Sequence, residues 1–242
     1  MPRRAVLSDE QRMALLALPD DETTLVQHWT LSEDDLAIIV RRRRPHNRLG
    51  FAIQLCALRY PGRLLRPGEL IPDTPLAFVA EQLQIAPEVL ADYATRGPTR
   101  YEQLDALREG FGFTQFSRPL RAALQEWLLP IALTTTSGAG LARSLLGECR
   151  RRRIIVPGIS SVERMVAQAL LDAERHVAEH LTRGLETGQR RLLDALLLPH
   201  AGTNLSGLGW VRQPSGKLGR KTFVVIIRRL ALLRDIGIDP NI

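Results

Sequence analysis

The sequence predicts an all-α protein of tandem helical, helix-turn-helix-like units with little or no sheet. Apolar residues recur at three- and four-residue spacing through most of the chain. Several of these segments open on Ser or Thr followed three residues later by Gln or Glu, the spacing of a capping box. No segment sustains the alternation of a half-buried strand. With 242 residues, 45% of them hydrophobic, the chain can bury one large core or two modest ones.

The first helix is expected near 8–17, where Ser8 and Gln11 have capping-box spacing. A second is expected at 21–29 and a third at 33–44, opened by Ser32 with Asp35 and flanked by Leu31 and Leu36 as a hydrophobic staple. Pro45 separates the third from an apolar fourth at 47–59. Thr74-Pro75 reads as N-cap and first-turn proline of a helix at 75–85, with Leu76, Val79, Ala80 and Leu83 on one face. Helices at 87–94, 99–110 (Thr99 with Glu102) and 118–129 (ended by Pro130) follow. The small residues from Thr134 to Gly140 are the clearest boundary candidate, dividing the chain into 1–135 and 136–242. Beyond it come helices at 140–152, 161–183 (Ser160 with Glu163) and 187–198, then a Gly-, Ser- and Pro-rich break. A third small helical unit from about 199 would carry the last helix, at 220–235. Phe223, Ile226, Ile227, Leu230 and Leu233 share one face there, which reads as a core-packing helix with a basic outer side.

Charge points to a polyanionic partner. The chain holds 33 basic and 26 acidic residues, net +7, and Lys217 and Lys221 are its only lysines. Arginine's planar fork suits bidentate binding of phosphate and guanine edges. The excess is concentrated in residues 130–242, where 17 basic face 9 acidic side chains. Two runs stand out: Arg41, Arg42, Arg43 and Arg44, followed by Pro45, and Arg150, Arg151, Arg152 and Arg153, followed at short range by Pro157. Adjacent guanidiniums repel one another and gain most when an external polyanion neutralises them. Cations at helix ends also interact well with the macrodipole without any ligand, but the recurrence of the pattern favours nucleic acid. Arg12 and Arg108 are expected to be ordinary surface positions.

Other chemistries find little support. His176 to His180 matches the H-x-x-E-H pattern of a group of zinc peptidases, but His180 falls in the apolar stripe of Val162, Val166, Ala169 and Ala173. Third-ligand candidates such as Glu186 or His200 follow no recognisable spacing, so packed or capping histidines are the preferred reading. The sequence has no G-x-S-x-G elbow, Walker loop, dinucleotide fingerprint or cysteine cluster. Neither a metal nor another cofactor is expected. Cys56 and Cys149 sit in apolar helical patterns and read as buried thiols of a reducing compartment. Acidic residues from Asp9 interrupt any signal-peptide core, and no run approaches a membrane span, so a soluble cytoplasmic protein is expected. The pairs 33–44 with 47–59 and 140–152 with 161–183 are candidate helix-turn-helix readers because arginine runs mark their turns.

An ordered set of segments carries a family resemblance. It runs from Met1-Pro2-Arg3-Arg4, Leu7-Ser8 and Leu16-Ala17-Leu18-Pro19 through Arg41 to Arg44 with Asn47-Arg48-Leu49-Gly50-Phe51-Ala52. It continues through Gln54-Leu55-Cys56, Arg59-Tyr60-Pro61-Gly62-Arg63, Tyr93-Ala94-Thr95-Arg96 and Thr99-Arg100-Tyr101-Glu102, then Arg153-Ile154-Ile155-Val156-Pro157-Gly158 and Trp210-Val211-Arg212-Gln213-Pro214. The combination resembles the amino-terminal region of replicative transposases of the Tn-three family. That resemblance implies helical DNA-binding domains holding the terminal inverted repeats of a transposon. It also implies that strand cleavage and joining belong to an RNase-H-like domain beyond this chain, so no enzymatic activity is expected here. An excised fragment, a truncated frame and a separate protein that kept only recognition all fit.

The expected partner is therefore double-stranded DNA. Candidate contacts in the first part are Arg41, Arg42, Arg43, Arg44, His46, Asn47, Arg48, Arg59 and Arg63. In the second they are Arg150, Arg151, Arg152, Arg153, Arg164, Lys217, Arg220 and Lys221. Asn47 is the best base reader, since its amide can pair bidentately with adenine, and a helix N-cap is its alternative role. The competing reading is a regulatory fragment that binds full-length transposase, and a zinc hydrolase is a distant third.

Overall fold

A computed structural model describes residues 6–93, 97–200, 204–214 and 219–237, with the side chains of 97–101, 103 and 221 outside the description. The fold is all-α: the described residues contain isolated bridges, Thr114 with Ile154 and Pro199 with Ser206, but no strand. The helices are α1 (Asp9–Leu15), α2 (Glu22–Trp29), α3 (Glu33–Ile39), α4 (Pro45–Arg59), α5 (Asp73–Leu83), α6 (Gly97–Phe111), α7 (Arg118–Ala132) and α8 (Gly138–Arg151). They continue as α9 (Ile159–Thr182), α10 (Thr187–Ala195), α11 (Gly207–Arg212) and α12 (Arg220–Ile236), and a short 3-10 segment spans Pro87–Asp92.

The capping chemistry places several helix starts. Ser8 with Gln11 and Ser32 with Asp35 form both bonds of the capping box, and Asp21 accepts from the Thr24 N–H at the start of α2. Several expectations shift: α3 ends at Ile39 rather than 44, α4 begins at Pro45 rather than 47, and the helix expected at 87–94 is a 3-10 segment. α5 begins at Asp73, so Thr74 lies within it rather than capping it. α9 begins at Ile159, which puts Ser160 in its first turn and leaves Glu163 to accept from Arg12 Nε at 2.7 Å. Arg12 is thus a tie between α1 and α9, not a plain surface residue. Pro130 lies inside α7, which runs on to Ala132 because Leu128 and Ala132 are both buried on its inner face. The Thr99 box lies outside the described side chains.

The chain divides into compact units at Ala173 and Glu174. The first, residues 1–173, holds two apolar clusters. One surrounds α4, whose residues from Leu49 to Leu58 are all buried, with Leu25, Trp29, Ile39, Val79, Ala80 and Leu107 packed around it. The other joins Leu7, Leu124, Leu128, Leu141, Leu145, Val162 and Met165 from the start of the chain and from α7, α8 and α9. The expected boundary at 135/136 falls inside this second cluster. Its small residues make a tight turn: Ser137 accepts from the Gly140 N–H, and a Cβ on Gly138 would meet the Val6 carbonyl oxygen at 2.5 Å.

An extended segment sews the two clusters together. Thr114 N–H donates to the Arg153 carbonyl, Ile155 N–H to the Thr114 carbonyl, and Val156 N–H to the Gly62 carbonyl, all within 2.9 Å. Alternation along this segment sends Ile154 into one cluster and Ile155 into the other. Gly62 accepts this contact at φ +103°, a conformation that favours glycine.

The second unit, residues 174–242, is more thinly packed. Leu196, Gly207 and Ile236 are buried, and Leu208 N–H donates to the Leu196 carbonyl at 2.7 Å. Gln189 Nε2 ties α10 to the end of α12 at the Gly237 carbonyl, 2.7 Å away. His200 stacks on Trp210, and Arg229 lies 5.4 Å from the same ring. The expectation that α12 buries its apolar face is not met among the described residues: Phe223, Ile227, Leu230 and Leu233 are all exposed. The short elements around α12 cover its Ile236 end and its Arg229 side and leave the face of Phe223, Ile227 and Leu230 open.

Candidate nucleic-acid interface

The first arginine run lies in the turn between α3 and α4, and the fold sorts its members. Arg42 turns inward, its guanidinium 4.4 Å from the centre of the Phe51 ring. Its carbonyl accepts from Arg48 Nε at 2.7 Å, which makes Arg48 a brace of the turn. Arg41, Arg43 and Arg44 are exposed, and their side chains have no hydrogen bond or ion pair among the described residues. α4 opens beside them with Pro45 in its first turn, no side-chain cap and no acidic residue. Asn47 is not the N-cap, because the helix starts earlier: the Arg44 carbonyl accepts from the N–H groups of Asn47 and Arg48, each at 3.0 Å. His46 and Asn47 are half-buried at this end.

Arg59 and Arg63 serve the fold. Arg59 Nη2 donates to Asp35 at 2.6 Å, and Asp35 is buried. Burial pushes the Asp35 carboxyl up, but the Arg59 bond, the Ser32 N–H and the guanidinium charge together hold it below the usual carboxylate range. Arg63 forms a two-pronged pair with Glu69, at 2.9 and 2.6 Å, and also donates to the Leu16 carbonyl.

The second run is bonded mostly to its own protein. Arg151 and Arg152 both donate to Glu148. The Arg151 hydrogen bond, opposed by burial and helped by Arg152, brings the Glu148 carboxyl down to about 2. Arg153 donates to the Phe111 carbonyl from a left-handed backbone, φ +53°. Arg150 lies over Tyr60 and donates to the Pro61 carbonyl. This run marks the seam between the two clusters, where α8 ends and the extended segment begins. Arg164 bonds locally to the Ser160 carbonyl and the Ser161 hydroxyl. Arg220 is exposed at the start of α12, whereas Lys217 and the Lys221 side chain lie outside the description.

Packing bears differently on the two candidate helix pairs. A reading helix must lay one face in the major groove. α4 is buried from Leu49 to Leu58, and α3 exposes Glu33 and Asp34, so the outward feature of this pair is the turn and the first residues of α4. In the second pair, α8 buries Leu141, Ala142, Leu145, Leu146 and Cys149 but exposes Arg143, and α9 exposes Arg164, Gln168 and Arg175, so this pair keeps an open face. His176 and His180 are exposed rather than packed, and no group of three or more metal-ligating side chains occurs among the described residues. No helix among them is long and apolar enough to cross a membrane.

Sequence reasoning passed over Arg143. It lies on α8 seven residues before Arg150, two helical turns along the same face, and both line a cavity beside Tyr60. Its signal in the sequence is the seven-residue spacing to Arg150, which no run of consecutive arginines marks.

Comparison with known proteins places these features in a family. The model of a domain of unknown function, DUF4158, matches residues 6–169, close to the first compact unit. The chain is 39% identical over 242 residues to the transposase of transposon Tn21 and 40% identical over 244 residues to that of Tn3926, both from Escherichia coli. It is 36% identical over 230 residues, 95% of the chain, to the transposase of Tn501 from Pseudomonas aeruginosa. The first two matches cover 100% of this chain but 24% of each transposase, and the third covers 23%, so the chain spans about a quarter of the length of the curated relatives it matches. The chain belongs to the DUF4158 family, and over its whole length it is similar to the amino-terminal part of transposases of the Tn-three family.

Proposed function

We propose that this chain is the DNA-recognition part of a transposase and binds the terminal inverted repeats of a transposon. The observation that carries the reading is the α3–α4 turn: Arg41, Arg43 and Arg44 are exposed, unpaired with any carboxylate among the described residues, and set beside a helix start that lacks acidic residues. Phosphates are the groups such a turn would gain most from binding. His46 and Asn47 follow directly and are the candidates for base contact once the arginines fix the register. Arg220, with Lys217 and Lys221 near it in sequence, would give the second unit a weaker contact of its own. Cleavage and joining are left to other parts of the transposase.

The test is binding to an inverted-repeat duplex and to a scrambled duplex across a salt series. Specific retention with a steep log–log salt slope is expected. Replacing Arg41, Arg43 and Arg44 together by alanine should reduce that slope by about 2–3 and leave the melting temperature nearly unchanged. Replacing Arg150 to Arg153 should instead lower thermal stability. A slope untouched by the first set would remove the turn from the interface.

The exposed apolar residues of α12 favour a second reading, contact with another part of a transposase. Phe223, Ile227 and Leu230 are 59%, 49% and 60% exposed at helical spacing. Polar substitution of these residues that leaves DNA binding intact but abolishes co-purification with a full-length transposase would support it.

A further inference from the structure

A cavity of about 270 Å³ opens in the first unit between α1, α8 and the turn after α4. Its polar wall consists of Gln11, Tyr60, Arg143 and Arg150, with Leu15 and Leu146 among its apolar residues, and no carboxylate among the described residues lines it. Arg150 is held in place from two sides: its guanidinium lies 5.0 Å from the centre of the Tyr60 ring, and Nη1 donates to the Pro61 carbonyl at 3.3 Å. No acidic group among the described residues pairs with it, although Arg151 and Arg152 share Glu148 and Arg12 holds Glu163. Burial pushes the Arg150 guanidinium down from its ordinary value, and burial followed by the Arg150 charge does the same to His28, which stacks on Tyr60. A half-buried, unneutralised cation in a cavity with a second arginine is an arrangement that an anion completes.

We infer that this cavity is a binding site for an anion of the phosphate class, held by Arg143 and Arg150 with Gln11 at its edge. Each donor has capacity to spare. Arg143 is exposed and has no bonded partner among the described residues. Arg150 uses one amino group on Pro61. Gln11 uses its carbonyl oxygen on the Ser8 N–H, which leaves its amide NH2 as a donor. The volume lies just below the range of about 300–1,000 Å³ usual for small-molecule pockets, which suits a phosphate or phosphorylated sugar rather than an extended ligand. The site is separate from the α3–α4 turn, so its existence does not depend on how that turn binds DNA.

Titration of the full chain with inorganic phosphate tests this, read by the arginine side-chain NMR resonances and by calorimetry. Saturable binding that perturbs Arg143 and Arg150 is expected. Arg143→Ala should weaken it on the order of tenfold while leaving the melting temperature in place, and Arg108→Ala should leave it unchanged. Competition then identifies the source. If a short oligonucleotide displaces phosphate only when 5′-phosphorylated, the site takes a strand end. If it displaces phosphate with either terminus, the site takes an internal phosphodiester, and if it never does, the ligand is a free phosphate ester. Non-saturable binding, or binding that Arg143→Ala leaves intact, overturns the assignment.

Discussion

At the scale of single residues, burial and pairing decide what each reactive group can do. Burial pushes the Cys56 thiol up to about 12 and the Cys149 thiol up to about 11, so both are protonated at neutral pH. Neither should react with iodoacetamide in the native protein, and both should react after denaturation; fast native labelling would contradict their burial. Glu148 carries the opposite shift. Its folded value of about 2 lies below the ordinary value of 4.5, so its stabilising contribution is complete above the higher value and is lost as the pH falls toward the lower. Asp35 and Glu69 are lowered too and act with the same sign. Glu148→Gln should therefore lower stability at neutral pH and make the acid-side decline between these values shallower, as measured by denaturant melts across pH.

At the scale of elements, α4 carries the tightest constraint. A Cβ on Gly50 would lie 2.2 Å from the Tyr93 ring, so Gly50→Ala must displace that ring or the 3-10 segment that ends just before it. A loss of about 1–3 kcal/mol in chemical denaturation is expected, and an unchanged midpoint would show that the ring moves without cost. The Asp35 to Arg59 tie links α3 to the end of α4. Arg59→Ala should cost about 3 kcal/mol, the low end for a broken buried pair, because Arg59 itself is partly exposed. The same packing explains why α4 serves as a core helix and leaves its turn to face a partner.

At the scale of the molecule, the first unit needs both sides of the Thr134 to Gly140 turn. A fragment of residues 1–135 would keep Leu124, Leu128 and Ala132 but lose Leu141, Leu145, Val162 and Met165, their partners in one cluster. It should melt without a cooperative transition in circular dichroism, whereas the whole chain should not. A sharp transition for the fragment would show that the α4 cluster and α7 are self-sufficient. If recognition is shared between units, the division to test is 1–173 against 174–242, with the linked pair binding more tightly because the second contact is intramolecular.

Local chemistry was enough to read the all-α class, the Ser8 and Ser32 caps, the helix at 21–29, the body of α4 over 47–59 and the two buried thiols, because helix period and capping depend on residues a few positions apart. The family resemblance was legible in the same way, as an ordered set of short motifs. What the sequence could not separate was one arginine from the next. Arg41, Arg43 and Arg44 differ from Arg42, Arg48, Arg59, Arg63 and Arg150 to Arg153 only in what the folded chain brings to them: the Phe51 ring, Asp35, Glu69, Glu148, and the Phe111 and Pro61 carbonyls. The unit boundary was hidden for the same reason. A run of small residues reads as a linker when alone, and only the shared burial of α7 and α8 makes it a turn within one core, since burial is set by partners far away in the chain.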